Sequence, residues 1–258
     1  MKIATWNVNG IRARGGQVEQ WIDAERPDVL CLQEINASPD QVPMTLAGRD
    51  DYWTCWHGTG GYSGVALLVH RDLAGAECSA VHPSFDFEQR VASVTIGALE
   101  ILSVYVPNGG KDFAAKMQFL EALGNHVAET QRDGRQVILC GDLNVALTDL
   151  DLHPKERKPN AIGQRPDERA LLQRIIDLGL TDVHRALHPD DEGLFTWWAP
   201  WRNLRQRNVG WRIDYVLASA SLGATAIRAE CQREFGTSDH APLVVQFAQV
   251  GAVPRTAR

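Results

Sequence analysis

The residues with chemical potential in this chain sit at the ends of its apolar runs. Residues 137 to 146, VILCGDLNVA, pass from a strand-like stretch into Gly141, Asp142 and Asn144. IATWNVNG ends in Asn7 and Asn9, DVLCLQE in Glu34 and ILSVYVPN in Tyr105 and Asn108, while TSDHAPLVVQF opens with Asp239 and His240. Asp142 and Asn144 are two residues apart, so on an extended backbone they point to one side, where an acid and an amide can bind a phosphate oxygen and a water. An Asx turn after Gly141 is the competing reading of the same residues. Glu34 by itself reads more readily as a strand-end salt bridge than as a ligand. Asp239 and His240 form the sharper pair. An imidazole works near neutral pH, and its neighbour offers a hard oxygen ligand.

The donor types restrict the metal. No H-E-x-x-H, C-x-x-C pair or histidine run is present, which disfavours a zinc centre. Carboxylates with amides (Asn7, Glu34, Asp142, Asn144, Asp239) suit magnesium or manganese, ions that keep waters and take a substrate phosphate oxygen. No phosphate-cradling G-x-x-x-x-G-K-[ST] or dinucleotide fingerprint occurs. Hydrolysis of a phosphoester is the economical chemistry that remains.

The elements that must position these residues are short β-branched runs at 28 to 32, 64 to 69, 91 to 96, 101 to 106, 137 to 140 and 243 to 247. Two of them flank Gly97-Ala98, which predicts a hairpin and hence antiparallel pairing in the sheet. Helices are expected around 17 to 25, from the N-cap Asp112 to Asp133-Gly134, and from Pro166 toward a Gly179 cap. Mixed pairing with helices outside predicts an α/β sandwich rather than a parallel doubly wound sheet. With 258 residues, 44% of them hydrophobic, and no dividing linker, a single domain over 1 to 249 with a loose tail at 250 to 258 is expected. Five unpatterned cysteines, no signal-peptide pattern and no run of membrane-spanning length predict a soluble cytoplasmic protein. The absence of a long amphipathic interface helix or heptad run suggests a monomer.

A net charge of -6 does not advertise a nucleic-acid binder. The stretch from 197 to 212 does so locally. It holds Trp197, Trp198, Trp201 and Trp211 with Arg202, Arg205, Arg207 and Arg212, and no acid. Arginines can reach phosphates while indole faces pack on a sugar or unstacked base. Single tryptophans such as Trp198 and Trp211 read equally as core.

Taken in order, W-N-V-N-G at 6 to 10, L-Q-E at 32 to 34, G-Y-S-G-V-A at 61 to 66, Y-V-P-N at 105 to 108, G-D-L-N-V-A at 141 to 146, N-V-G-W-R-I-D-Y at 208 to 215 and S-D-H-A-P at 238 to 242 resemble the exonuclease III family of abasic-site DNA endonucleases. The resemblance spans nearly the whole chain. It implies a four-layer α/β sandwich of two mixed sheets with outer helices, as in the DNase I-like superfamily. It also implies cleavage of duplex DNA on the 5′ side of an abasic site to leave a 3′ hydroxyl, often with 3′-phosphodiesterase, 3′-phosphatase and 3′ to 5′ exonuclease activity.

Carried over by motif, the resemblance makes Glu34 the principal ligand of one magnesium or manganese ion, helped by Asp239 and, directly or through water, Asn7. Asp142 would orient or deprotonate the attacking water, Asn144 would hold that water or the phosphate, and Tyr105 would bring its phenol to the scissile phosphate. Asp214 would orient His240 toward a phosphate oxygen. Other readings of the family make His240 the base, or give Asp142, Asn144 and His240 to a second metal. Trp197, Trp211 and Ile213 match the walls of a pocket for a flipped-out baseless sugar. Arg12, Tyr62 and Lys111 match positions on the DNA backbone, and Trp201, Arg202 and Arg207 of the Arg/Trp stretch extend that surface. Three positions depart from relatives: Asn9 replaces an acid, Asn36 stands where a lysine is common, and Trp201 is bulkier than the side chain some relatives insert into the groove. A phosphoesterase acting on lipid or inositol phosphates and a non-catalytic nucleic-acid binder are the alternative classes.

Overall fold

Two six-stranded mixed sheets stack face to face in a computed structural model that describes residues 1–75 and 78–248. The tail expected at 250 to 258 lies outside the described residues. The strands are β1 (Lys2–Asn7), β2 (Val29–Gln33), β3 (Tyr52–His57), β4 (Val65–His70), β5 (Ala80–Val81), β6 (Val91–Ile96), β7 (Leu99–Tyr105), β8 (Gln136–Asp142), β9 (Leu180–Asp182), β10 (Asp214–Ser219), β11 (Ala226–Cys231) and β12 (Leu243–Phe247). The first sheet runs β11-β12-β1-β2-β4-β3 and the second β5-β6-β7-β8-β10-β9. Only β1 with β2 and β7 with β8 pair in parallel; the other pairings are antiparallel. The hairpin expected at Gly97-Ala98 joins β6 to β7, with Ile96 opposite Leu99.

Central strands covered on both faces read as nearly unbroken apolar runs, and alternate residues feed different layers. Ile3, Val29, Cys31 and Leu67 of the first sheet meet Val94, Ile138, Cys140 and Val216 of the second between the sheets. Their neighbours Ala4, Trp6, Leu30 and Leu68 turn outward against helix Ile11–Glu25 through Ile11, Val18, Trp21 and Ile22. On the far side, Val104, Leu139 and Leu217 pack under helices Phe113–Arg132 and Pro166–Ile176 through Leu120, Leu123, Leu172 and Ile175. These are the four layers of a DNase I-like sandwich.

The first helix begins at Ile11, earlier than the start near 17 read from the sequence. Gly15-Gly16 weakens helix propensity and hides the first turns. Gly15 is needed there, because a Cβ would lie 2.7 Å from the Pro43 ring, whereas nothing crowds Gly16. The second helix begins as expected, with the Asp112 carboxylate accepting from the Ala115 N–H at 2.9 Å. The third ends at Ile176, and Gly179 adopts a left-handed φ of 93° just beyond its Asp177 cap. All five cysteines are free thiols. Among the described residues, no helix is long and apolar enough to cross a membrane.

Candidate active site

Sheet register gathers the chemistry at one edge. Parallel pairing aligns the ends of β1 and β2, so Asn7 lies beside Gln33 and Glu34 follows immediately. In the second sheet Tyr105 pairs with Asp142 at the ends of β7 and β8, and Asp142 pairs with Asp214 at the start of antiparallel β10. Asp239 and His240 enter from the segment leading into β12, antiparallel to β1. Gly141 permits this convergence: its φ is 149°, and a Cβ there would sit 1.8 Å from the Val104 carbonyl oxygen. Glu34, Asn9 and Asn144 carry φ values of 49°, 44° and 53°, a cluster of uncommon backbone conformations at one site.

The side chains form one connected network. The Asn7 amide donates to Glu34 Oε1 at 2.8 Å and to Asp142 Oδ2 at 2.9 Å, bridging carboxylates from the two sheets. Asp142 Oδ1 accepts from the Asn144 backbone N–H, and the Asn144 amide donates to the Val106 carbonyl, each at 2.9 Å. His240 Nδ1 pairs with Asp214 Oδ2 at 2.9 Å, and its Nε2 lies 3.8 Å from Asp142 Oδ2. Ser238 braces the turn, donating to the Asn7 carbonyl and accepting from the His240 N–H. Asp239 is held differently: Oδ1 accepts from Asn9 and Oδ2 from the Trp197 indole, both at 2.9 Å.

The charge balance is uneven. Burial pushes Asp142 up to about 7, with Asp214 and Glu34 adding to the rise and His240 opposing it. Burial alone would lower His240, but Asp214 and Asp142 reverse that and lift it to about 10, so the imidazole is a cation at neutral pH. Burial would raise Asp239, yet His240 and the Asn9 and Trp197 hydrogen bonds bring it below the ordinary carboxylate range. Burial, then Glu34 and Asp142, push the Tyr105 phenol far upward, which keeps it a neutral donor. Four carboxylates thus surround one imidazolium. One donor atom each from Glu34, Asp142 and His240 lies within 4.8 Å of the others. This surplus of negative, mostly oxygen donors fits a hard divalent cation.

These groups open into a cavity of about 400 Å³, also lined by Asn108, Trp197, Trp211 and Ile213. Trp197 and Trp211 meet edge to face with ring centroids 5.6 Å apart. A larger groove of about 710 Å³ lies elsewhere, along His184, His188, Phe195 and Cys231, and among the described residues it gathers no cluster of metal-ligating donors. The size of a hollow is the weaker guide here; the charged strand ends mark the site.

The remaining residues singled out in the sequence divide. Arg12, Lys111, Trp201, Arg202 and Arg207 are exposed, and Tyr62 is exposed with its hydroxyl accepting from Arg90 at 2.7 Å. The Arg/Trp stretch is less of a surface than its composition suggests. Trp198 is core, Arg212 is buried against Asp151 and Asp182, and Arg205 is spent on the backbone carbonyls of Arg233 and Phe235. Three supporting residues were missed in the sequence. Buried Arg90 stacks over Tyr105, 4.7 Å from its ring centre. Buried Lys116 donates to the Asn144 and Asn108 carbonyls and pairs with buried Glu168. Lys116 had left a trace: it lies on the apolar stripe of its helix, one turn before Leu120.

Comparison with known proteins agrees with this geometry. Residues 4–240 match the model of the endonuclease/exonuclease/phosphatase family. An exodeoxyribonuclease of Bacillus subtilis is 34% identical, over 94% of this chain and 98% of its own. The structure of an AP endonuclease from Archaeoglobus fulgidus superposes with a TM-score of 0.85 at 30% identity, covering 96% of this chain and 99% of that one. A 3′ phosphatase from Neisseria, solved bound to a product DNA hairpin, gives 0.87 at 30% identity, covering 96% and 100%. The chain belongs to the endonuclease/exonuclease/phosphatase family and, within it, to the exonuclease III group of DNA-repair nucleases.

Proposed function

We propose that this protein incises duplex DNA on the 5′ side of an abasic site, leaving a 3′ hydroxyl, and also clears blocked 3′ ends, as a monomer in the cytoplasm. The observation that carries this reading is the Asn7-Glu34-Asp142-His240-Asp214 network, buried but for Glu34, opening beneath an apolar wall of Trp197, Trp211 and Ile213. Magnesium, or manganese in its place, would be held chiefly by Glu34, helped by Asp239 and Asn7, and would supply charge neutralisation at a phosphate oxygen. The protein's own residues do the rest. His240, kept protonated by Asp214, donates through Nε2 to a non-bridging oxygen and offsets charge growing there. Asp142 Oδ2, 3.8 Å from His240 Nε2 and facing the cavity, takes the proton of the attacking water. Asn144 steadies that water or the phosphate, and the un-ionised Tyr105 phenol offers a further donor.

Substrate choice follows from the wall. An abasic sugar has no base to unpair, so rotating it out of the helix costs less than for an intact nucleotide. The indoles of Trp197 and Trp211 and the Ile213 side chain give the cavity an apolar wall for the deoxyribose. The exposed Arg12, Tyr62, Lys111, Trp201, Arg202 and Arg207 contact the backbone of the duplex. A duplex with one abasic analogue, a matched undamaged duplex and a 3′-phosphate end, each incubated with Mg2+ and mapped for products, test the reading. A nick immediately 5′ of the lesion with a free 3′ hydroxyl is expected. Equal cleavage of the undamaged duplex, or no metal-dependent product, contradicts it.

A further inference from the structure

A second cluster with metal-binding chemistry lies away from these strand ends, where the edges of the two sheets meet. His57 ends β3, the edge strand of the first sheet. His82 follows β5, the edge strand of the second, and Asp86 lies in the loop leading to β6. One donor atom from each of the three lies within 4.8 Å of the others. His57 Nε2 is 2.6 Å from Asp86 Oδ2, and the His57 and His82 rings stack with centroids 3.6 Å apart.

Two features beyond proximity favour a cation. His82 Nδ1 is 3.2 Å from the Val91 carbonyl, to which it can only donate, so Nε2 is left with its lone pair free. A ring N–H anchored on a carbonyl is the usual support of a metal-bound histidine. Asp86 is anchored as well: Oδ1 accepts from the Arg90 and Val91 backbone N–H groups at 2.7 and 2.9 Å, which leaves Oδ2 to face the imidazoles. His82 is exposed, so an ion can enter from solvent.

We propose that His57, His82 and Asp86 form a binding site for a late first-row divalent cation of the zinc class, which clips the edges of the two sheets together. Two imidazoles and one carboxylate match zinc rather than magnesium, and three protein donors leave a fourth position for water. The proton now shared by His57 and Asp86 is what the cation displaces. The same Asp86 fixes the backbone of Arg90, whose guanidinium lies over Tyr105, so the clip tightens a support of the active site without entering it.

The test is a Zn2+ titration of the intact protein in excess Mg2+ against a chromophoric competitor, paired with thermal unfolding. Wild type should bind one Zn2+ that Mg2+ does not displace, and its Tm should rise. Glu34→Gln should keep that behaviour. His82→Asn and His57→Gln should each weaken Zn2+ binding by at least about tenfold and abolish the rise in Tm. With Co2+ as probe, the intense visible absorption of a four-coordinate site should appear in wild type and vanish in His82→Asn. Incision by His82→Asn at saturating Mg2+ should match wild type. Zn2+ uptake that is absent from wild type, unchanged in both histidine variants, or lost only in Glu34→Gln overturns the proposal.

Discussion

Asp142 and Asp151 are both shut off from solvent, at 1% and 0% exposure, yet their surroundings are opposite. Asp151 Oδ1 accepts from Arg212 at 2.7 Å and Arg185 at 2.8 Å, while Oδ2 accepts from the Thr148 N–H and hydroxyl. Burial would raise Asp151, but Arg212 and its companions pull it to about 2. Asp142 has amide donors, one imidazole at 3.8 Å and two further carboxylates pressing on it. The first network closes on itself and ties β9 and the segment before β10 to the 3-10 turn Asp149–Asp151. The second leaves negative charge facing a cavity. An acid is marked for chemistry by the balance of charge around it, not by burial.

The largest effects should come from breaking the unbalanced network. Asp142→Asn and His240→Gln should each lower incision of an abasic duplex by about 10²–10³-fold or more in kcat/KM. Asp142→Asn should leave Tm unchanged or higher, because it removes repulsion. A fall in Tm on the scale of the activity loss would place Asp142 with Asp151.

Breaking the balanced network should do the reverse. Arg212→Gln leaves Asp151 and Asp182 short of a partner and should cost about 3–5 kcal/mol in denaturant unfolding. Incision per folded molecule should stay within a few-fold of wild type.

Titration sharpens the contrast further. Asp142 has a folded value raised to about 7, so its contribution to stability is full below the ordinary value of about 3.9 and is lost as pH rises through about 7. Asp151 is depressed to about 2, so its contribution is present above about 3.9 and is lost as pH falls through about 2. The Tm of Asp142→Asn relative to wild type should therefore climb between about pH 4 and 7, and excess Mg2+ should erase the gain by stabilising the carboxylate. The deficit of Asp151→Asn should shrink as pH falls from about 4 toward 2. Parallel pH profiles for the two variants would contradict the distinction.

The smallest effect is expected outside both networks. Trp201, 60% exposed, makes no side-chain hydrogen bond among the described residues, and Trp201→Ala should shift stability by less than about 0.5 kcal/mol. Its effect should appear as a few-fold rise in KM for duplex DNA with kcat retained.

Much of this was legible in the sequence because strand ends and chemistry coincide. Each apolar run stops at its functional residue, and parallel pairing of β1 with β2 and β7 with β8 places those stops side by side. Pairing of charges was not legible. Arg202 and Arg207 look like Arg205 and Arg212 in a one-dimensional reading, yet the first two face solvent and the last two are committed inside the protein. Lys116 and Glu168 are separated by the whole of β8 and its following loops, and only the packing of their two helices joins them. The ties of Asp239 to Asn9 and Trp197 depend on the same long-range convergence. His57, His82 and Asp86 come from two sheets and share no local motif.

The central claim is that surplus negative charge at the strand ends exists to hold a divalent cation against a DNA phosphate. Mn2+ titration near neutral pH, followed through the electron paramagnetic resonance signal of the free ion, tests it most directly. Wild type and His82→Asn should each take up Mn2+ at a site from which Mg2+ displaces it, and Glu34→Gln should lose that site along with incision. Mn2+ uptake that is absent in wild type, or that survives unchanged in Glu34→Gln, would contradict the account.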